Sequence, residues 1–471
     1  MSSISNDIFH LSDIRADSSF FTNDVIDKLT QAEALFFKEN LSVKTVILAR
    51  DARLSGNRIL ERKCQIFLSL GFDVILFQNP ISTPFFYFVA MQNPNAAGIM
   101  ISASHNPKNH NGEKLVGPNC IPIAGNYEKT GELDIIRKYF ENDQKLEISR
   151  TKGSLLIEDY KKAYLDFAIN YLNLQDTSFS TNILFDFLSG SSSVELLDIL
   201  SRNKSFSFKN FIPNGEFPQG DPNPIKQSIK EFDSDYLIMF DGDGDRMDVI
   251  NKDLKEIPPS AIFAFILPVL SKGKGIVCLD PKASPVIINY LNENGYTTMI
   301  VPNGHSQIKK ILSKNKSIIA AVEESGHYYL NIKCNDFVYS IENMAIILLA
   351  FLSSLEKDRK HFEYFIELTS SYYREREWTK KFDSALERSN KLKQIEALLL
   401  TKGYNITDTL LDGSPLGSVI LKKDTKPWVQ LTLRASETEL YLARFEVLSE
   451  CKSEAKKIKA LIEDVLSQQM L

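Results

Sequence analysis

Short apolar runs of strand length recur along this chain, separated by amphipathic stretches of helical length. Thr45 to Ala49, Phe72 to Phe77 and Gly98 to Ile101 read as buried strands, because each is a compact apolar run closed by polar or turn residues. Before and between them, Val25 to Phe37 is amphipathic, and the segment leading through Leu70 reads as a helix. The alternation returns with strands at Asn182 to Phe187 and Asp235 to Phe240. It returns again with strands at Gly275 to Leu279, Thr297 to Val301 and Ser317 to Val322, and with helices at Ser284 to Asn294 and through Leu312. Strands alternating with helices predict sheets with parallel pairs and helical crossovers, an α/β class whose ligands sit at the carboxyl ends of the strands.

The pattern changes near Thr369. A long amphipathic helix, Phe382 to Leu400, precedes strands at Ser418 to Lys422, Trp428 to Arg434 and Tyr441 to Val447, then a final helix from Ser453 to Leu466. This predicts an antiparallel α+β unit. The charged stretch from Glu141 to Lys152 reads as a linker, and 471 residues exceed what one ordinary core encloses. Four domains are therefore predicted: 1–150, 151–252, 253–368 and 369–471. No short-period repeat is evident, although the first three units share a rhythm.

Composition mainly excludes. A hydrophobic content of 43%, a charged content of 24% and a net charge of -5 fit a globular protein without a broad nucleic-acid-binding face. The longest apolar runs, Ala261 to Leu270 and Met344 to Leu352, fall short of the roughly 20 residues that span a bilayer. No basic segment followed by an apolar one opens the sequence, so no secretory signal and no membrane partner are expected. Five scattered cysteines without a CxxC pair argue against a disulfide framework or a thiolate zinc site, and a reducing cytoplasm is the expected compartment.

Candidate chemistry lies at the strand ends. After Gly98 to Ile101 comes Ser102-Ala103-Ser104-His105-Asn106-Pro107, then Asn111-Gly112-Glu113-Lys114. The Ser104 hydroxyl can carry a phosphoryl group, His105 and Asn106 can hydrogen-bond it, and Lys114 is expected on the same loop as a cation or proton carrier. Taken alone, a serine in a polar loop is usually just a turn or a helix cap. After Asp235 to Phe240 comes Asp241-Gly242-Asp243-Gly244-Asp245-Arg246, whose alternating carboxylates can converge on one hard cation. An EF-hand loop is excluded, because Arg246 stands where glycine is needed and Lys252 where the bidentate glutamate is needed. Three later strand ends present Lys282, then Gly304-His305, then Glu323, Ser325 and His327, a polar set suited to sugar hydroxyls and a phosphate. In the turn Ala435-Ser436-Glu437-Thr438-Glu439, Arg434, Ser436 and Thr438 either grip a phosphate or are ordinary hairpin residues.

Together these motifs resemble the α-D-phosphohexomutase superfamily, in particular its phosphomannomutase and phosphoglucomutase branch. The resemblance runs through Asp13-Ile14-Arg15, the Arg50 to Gly56 loop, the serine loop, the DGDGDR loop, Gly304-His305, the EESGH loop and the Arg434 turn, in that order. It implies a four-domain architecture around a central cleft. It implies that Ser104 carries the phosphoryl group and that Asp241, Asp243 and Asp245, with a phosphoserine oxygen, hold Mg2+. Arg15, Arg246 and His105 would lie at the catalytic centre, with Lys114 or His327 as proton carrier. Glu323 and Ser325 would bind sugar hydroxyls, with Lys282, Gly304 and His305 completing the cleft, and Arg434, Ser436, Glu437 and Thr438 would form a distal phosphate site. A hexose 1,6-bisphosphate would be intermediate and activator.

The activity implied is interconversion of mannose 6-phosphate and mannose 1-phosphate, supplying GDP-mannose. The alternatives are a dual phosphomannomutase/phosphoglucomutase, a phosphoglucosamine mutase and, from other classes, a phosphatase or a sugar-phosphate-binding protein without turnover. Pointers to mannose are Gly215 to Pro218 with Pro222-Asn223-Pro224, and Leu115-Val116 with Pro122-Ile123. Departures from the family pattern are Ser12, Ala16, Glu437 and Leu440, and Glu437 is expected to turn its carboxylate outward. The expected partner is a hexose phosphate, with no nucleic acid, and the protein is expected to be a monomer or homodimer.

Overall fold

The computed structural model describes residues 8–126, 128–216, 228–271, 273–334, 336–410, 413–436 and 441–468. Its strands form four sheets. The first contains β1 (Ile14–Asp17), β2 (Thr45–Arg50), β3 (Asp73–Leu76), β4 (Ala97–Ile101), β5 (His110–Val116), β6 (Pro122–Ile123) and β7 (Leu155–Leu156), in the order β1-β5-β4-β2-β3-β7 with β6 beside β5. Strands β4, β2, β3 and β7 run parallel, and β5 is antiparallel to β4. Because β7 joins this sheet, the first unit reaches past the break expected at 150. Similarly, the helix Arg359–Ser370 crosses the break expected at 368.

The second sheet contains β8 (Ile183–Asp186), β9 (Phe206–Lys209), β10 (Tyr236–Phe240), β11 (Met247–Asn251) and β12 (Glu256–Ile257), in the order β12-β11-β10-β8-β9. The third contains β13 (Ile276–Leu279), β14 (Thr297–Ile300), β15 (Ile318–Val322), β16 (Tyr328–Cys334) and β17 (Phe337–Ile341), in the order β14-β13-β15-β16-β17. Three of the sheets thus repeat one plan. Three parallel strands are crossed over by helices, and a fourth strand returns antiparallel beside the third. In each repeat the connection from third to fourth strand carries a motif: 102–109 with Ser104, 241–246 with the aspartates, and 323–327 with Glu323, Ser325 and His327.

The apolar runs too short for a bilayer are core helices. Pro259–Leu270 and Met344–Lys357 are buried almost all round, as is Thr83–Gln92. They form one continuous apolar cluster through the first three units, which fixes the three motif-bearing connections relative to one another. No described helix is long and apolar enough to cross a membrane.

The last unit is an antiparallel sheet of β18 (Tyr373–Lys381), β19 (Asn405–Thr409), β20 (Pro415–Lys423), β21 (Val429–Ala435) and β22 (Leu442–Ser449), in the order β18-β22-β21-β20-β19. The helices Ala385–Thr401 and Lys452–Ser467 enclose its own apolar core. The architecture is therefore mixed α/β in three units and α+β in the fourth.

Candidate active site

Ser104 stands at the head of the β4–β5 connection with φ +50°, a left-handed conformation that costs a non-glycine residue about 1–2 kcal/mol. Arg53 holds it there. Its guanidinium, fully buried, donates to the carbonyls of Ser104 (2.6 Å), Asn106 (2.8 Å), Pro107 (2.6 Å) and His110 (2.9 Å), while Nε pairs with Asp51 at 3.0 Å. From the other side, Arg15 donates to the Ala103 carbonyl at 3.2 Å and to Asn106 Oδ1 at 3.1 Å. The Ser104 hydroxyl is left directed at Asp241, donating to Oδ2 at 3.2 Å.

Asp241, Asp243 and Asp245 can each offer one oxygen within 4.8 Å of the others. The turn that brings them together needs Gly244, whose φ is +69° and where a Cβ would lie 2.7 Å from that of Ser192. Asp243 Oδ1 and Asp245 Oδ1 are buried without a hydrogen-bond partner. Burial and the two neighbouring carboxylates push Asp241 up to about 8. Orphaned acceptors and mutual repulsion are what a divalent cation would relieve, so this donor set fits Mg2+.

Lys114 faces the same carboxylates, at 2.7 Å from Asp243 Oδ2 and 2.5 Å from Asp245 Oδ2. It lies on strand β5, not on the loop expected for it. Polar residues of β5 escape hydrophobic patterning because Asn111, Glu113 and Lys114 are buried against partners, as Glu113 is against Lys63 at 2.8 Å. Burial opposes the charge on Lys114, but Asp243 and Asp245 outweigh it and hold the ammonium well above its usual range. Ser102 and Thr83 also donate to Asp243 Oδ2, at 2.9 and 2.6 Å.

His105 and His327 are linked by Arg246, which sits 2.7 Å from His105 Nδ1 and donates to His327 Nε2 at 2.9 Å. The guanidinium charge, with burial, pushes His105 down to about 2, so His105 is a neutral acceptor. His327 Nδ1 faces Glu342 Oε1 at 3.0 Å. Burial lowers the proton affinity of His327, but Asp245 and Glu342 reverse this and leave it raised. Glu342, paired also with Lys309 at 3.0 Å, carries no sequence signal, because it is a single carboxylate just past the end of β17 with no motif around it.

These groups face a cleft of about 360 Å³. Arg15, Ser104, His105, Lys114, Arg246 and His327 line one end. Gly304, His305, Glu323 and Ser325 line the middle. Gly304, at φ +106°, donates its N–H to Glu323 Oε1 at 3.0 Å, and Tyr329 donates to Oε2 at 2.5 Å, so the Glu323 carboxylate is fixed as an acceptor. His305 Nε2 lies 3.6 Å from Asp13 Oδ2, the carboxylate that also holds Arg15. Lys282, Arg434 and Ser436 line the far end, joined by Arg444 and Glu377, which sequence reasoning did not select. Glu437 and Thr438 lie outside the described residues, as do Leu440 and the segments Phe217-Pro218 and Pro222 to Pro224.

Two models of the phosphoglucomutase/phosphomannomutase family match this chain. Alpha/beta/alpha domain I matches residues 6–145 and alpha/beta/alpha domain III matches residues 259–367, together more than half of the chain. The chain belongs to the α-D-phosphohexomutase superfamily. It is an enzyme that transfers a phosphoryl group intramolecularly, an isomerase. Among curated relatives, the phosphoglucomutase of Neisseria gonorrhoeae is 28% identical over 343 residues, covering 70% of this chain and 71% of that protein. The phosphomannomutase of Escherichia coli is 26% identical over 395 residues, covering 80% and 84%. In fold, the chain resembles a phosphoglucomutase/phosphomannomutase family protein from Burkholderia thailandensis, with a TM-score of 0.77, 19% identity, and coverage of 98% of this chain and 96% of that one.

Proposed function

We propose that this phosphohexomutase interconverts the 1-phosphates and 6-phosphates of both mannose and glucose, through a phosphoserine at Ser104 and a hexose 1,6-bisphosphate. The observation that carries this reading is the polarity of the cleft. A serine hydroxyl beside a carboxylate cluster occupies one end, and Lys282, Arg434 and Arg444 line the other. A hexose bisphosphate has the matching form, a neutral ring between two anionic ends. The mannose expected from sequence is one of two substrates here, because relatives named for glucose and for mannose match at 28% and 26% identity.

The residues divide the work as follows. Asp241, Asp243 and Asp245 would hold Mg2+, which when bound offsets the charge of the phosphoryl group in transfer. Arg246 and Lys114 add positive charge at the same end, and Arg15 and Arg53 keep the serine loop fixed. Lys114, held charged by two aspartates, serves as a charge stabiliser. Proton removal from the attacking sugar hydroxyl falls to His327: Glu342 orients Nδ1, and Nε2, which accepts from Arg246 before substrate enters, exchanges that bond for the hydroxyl proton once Arg246 turns to the phosphoryl group. Glu323 and Ser325 bind ring hydroxyls. At the far end, Lys282, Arg434, Ser436 and Arg444 bind the phosphate that is not reacting, and the bisphosphate turns over before it returns its other phosphoryl group to Ser104.

The test is turnover on mannose 1-phosphate and glucose 1-phosphate side by side, with Mg2+ and a trace of the matching 1,6-bisphosphate. Turnover on both is expected, with Arg434→Ala raising KM far more than it lowers kcat. A preference for one sugar above about a hundredfold in kcat/KM would narrow the function to that sugar. Silence on both would contradict the reading.

A further inference from the structure

Among the described residues, one carboxylate stands where the far end of the cleft calls only for cations. Glu377 Oε1 lies 2.7 Å from Arg444, and Glu377 Oε2 lies 3.7 Å from Lys282 and 3.8 Å from Arg434. Its position follows from an irregularity in strand β18. Glu375 opposes Val447 and Trp378 opposes Phe445, so Arg376 and Glu377 together face the single residue Glu446. That is a β-bulge, and it shifts the alternation of faces by one residue. Glu375 and Trp378 both lie on the helix side, where Lys459 pairs with Glu375 at 2.7 Å and sits 4.9 Å over the Trp378 ring. With regular alternation Glu377 would share that side. The bulge turns it into the cleft instead.

We propose that Glu377 is a built-in counter-anion of the distal phosphate site, bound by the same three cations that a substrate phosphate must use. This rests on the reading that Lys282, Arg434 and Arg444 receive the non-reacting phosphate. A phosphate monoester entering there either displaces the carboxylate or binds beside it against like-charge repulsion. In both cases the far end holds phosphate less tightly than three cations alone would. The consequence suits a reaction whose intermediate must release this site, turn and rebind by its other end. Burial resists the charge on Glu377, but Lys282, Arg444 and Arg434 keep it ionised. The ion pairs Glu377 makes are to Lys282, Arg434 and Arg444, cations that line the cleft.

The experiment is calorimetric titration of inorganic phosphate into the full-length enzyme, comparing wild type, Glu377→Gln, Glu377→Asp and Arg434→Ala. Glu377→Gln, nearly isosteric, is expected to bind phosphate on the order of tenfold more tightly. Glu377→Asp, which keeps the charge, stays close to wild type, and Arg434→Ala weakens binding. In turnover, Glu377→Gln should lower both KM and kcat, since the intermediate is captured more firmly and released more slowly. Equal or weaker phosphate binding by Glu377→Gln, or no binding by it or by wild type, overturns the proposal. If Arg434→Ala also leaves binding unchanged, the placement of the distal site fails. If Arg434→Ala weakens binding while Glu377→Gln does not strengthen it, only the role of Glu377 fails. Melting temperatures of the four proteins separate these outcomes from loss of fold.

Discussion

Arg53 spends its guanidinium on main-chain carbonyls of the serine loop, and that loop in turn holds Ser104 in a left-handed conformation. Removing the side chain strands the buried Asp51 carboxylate and frees the loop at once. Arg53→Ala is therefore expected to cost about 3–5 kcal/mol, read by denaturant unfolding, and to abolish turnover. Arg53→Lys should recover part of the stability and little of the activity, because an ammonium cannot reach four carbonyls in one plane. Wild-type kinetics in either variant would contradict the clamp. The loop that contains Arg53 is legible in sequence as a charged turn after a strand. Its role is not, because the carbonyls it binds lie more than fifty residues away and spacing carries no trace of them. Glu342 and Glu377 were missed because their partners, His327 and Lys309 for the first and Lys282, Arg434 and Arg444 for the second, lie on other elements of the chain. Ser104, the three aspartates and Arg246 were legible because their chemistry is local, packed into a few consecutive positions.

At the scale of elements, patterning found the strands that are apolar and missed β5, whose polar residues are mostly buried by pairing, and β18, a half-buried to exposed edge strand. Strand β5 reads His-Asn-Gly-Glu-Lys-Leu-Val and strand β18 reads Tyr-Arg-Glu-Arg-Glu-Trp-Thr-Lys-Lys, yet both sit within sheets. In β18, Arg374 fastens the last unit to the third. It pairs with Glu324 at 3.2 Å and with Glu446 at 3.3 Å, and donates to the Lys282 carbonyl at 3.4 Å. Gln430 and Thr432 on β21 add bonds to the carbonyls of Pro281 and Ala283. Arg374→Ala leaves two carboxylates with nearly buried side chains without this cation, at a cost of about 3–5 kcal/mol. Scanning calorimetry should then show the last unit melting separately, below the rest. Because Arg434 and Arg444 belong to that unit, KM for hexose phosphate should rise as well. A single unshifted transition would contradict this coupling.

Across the whole molecule, the site is assembled by repetition. Three units of one topology place the same connection, third strand to fourth, around one cleft, and those connections carry the serine, the aspartates and the Glu323 to His327 set. A shared rhythm was visible in the sequence, but the repeat itself was not, since the units share strand order and hydrogen-bonding pattern and not residue spacing. The core that runs through all three units makes this arrangement rigid, while the last unit, with a core of its own, brings the cations of the far end. The central claim is that the phosphoryl group passes through Ser104. It is tested most directly by incubating the enzyme with a hexose 1,6-bisphosphate and Mg2+, quenching, and locating covalent phosphate by peptide mass spectrometry. One phosphoryl group on Ser104, absent from Ser104→Ala and lost when mannose or glucose 1-phosphate is added, is the predicted result. Full turnover without phosphate on Ser104, or a phosphoryl group carried elsewhere, would contradict the account.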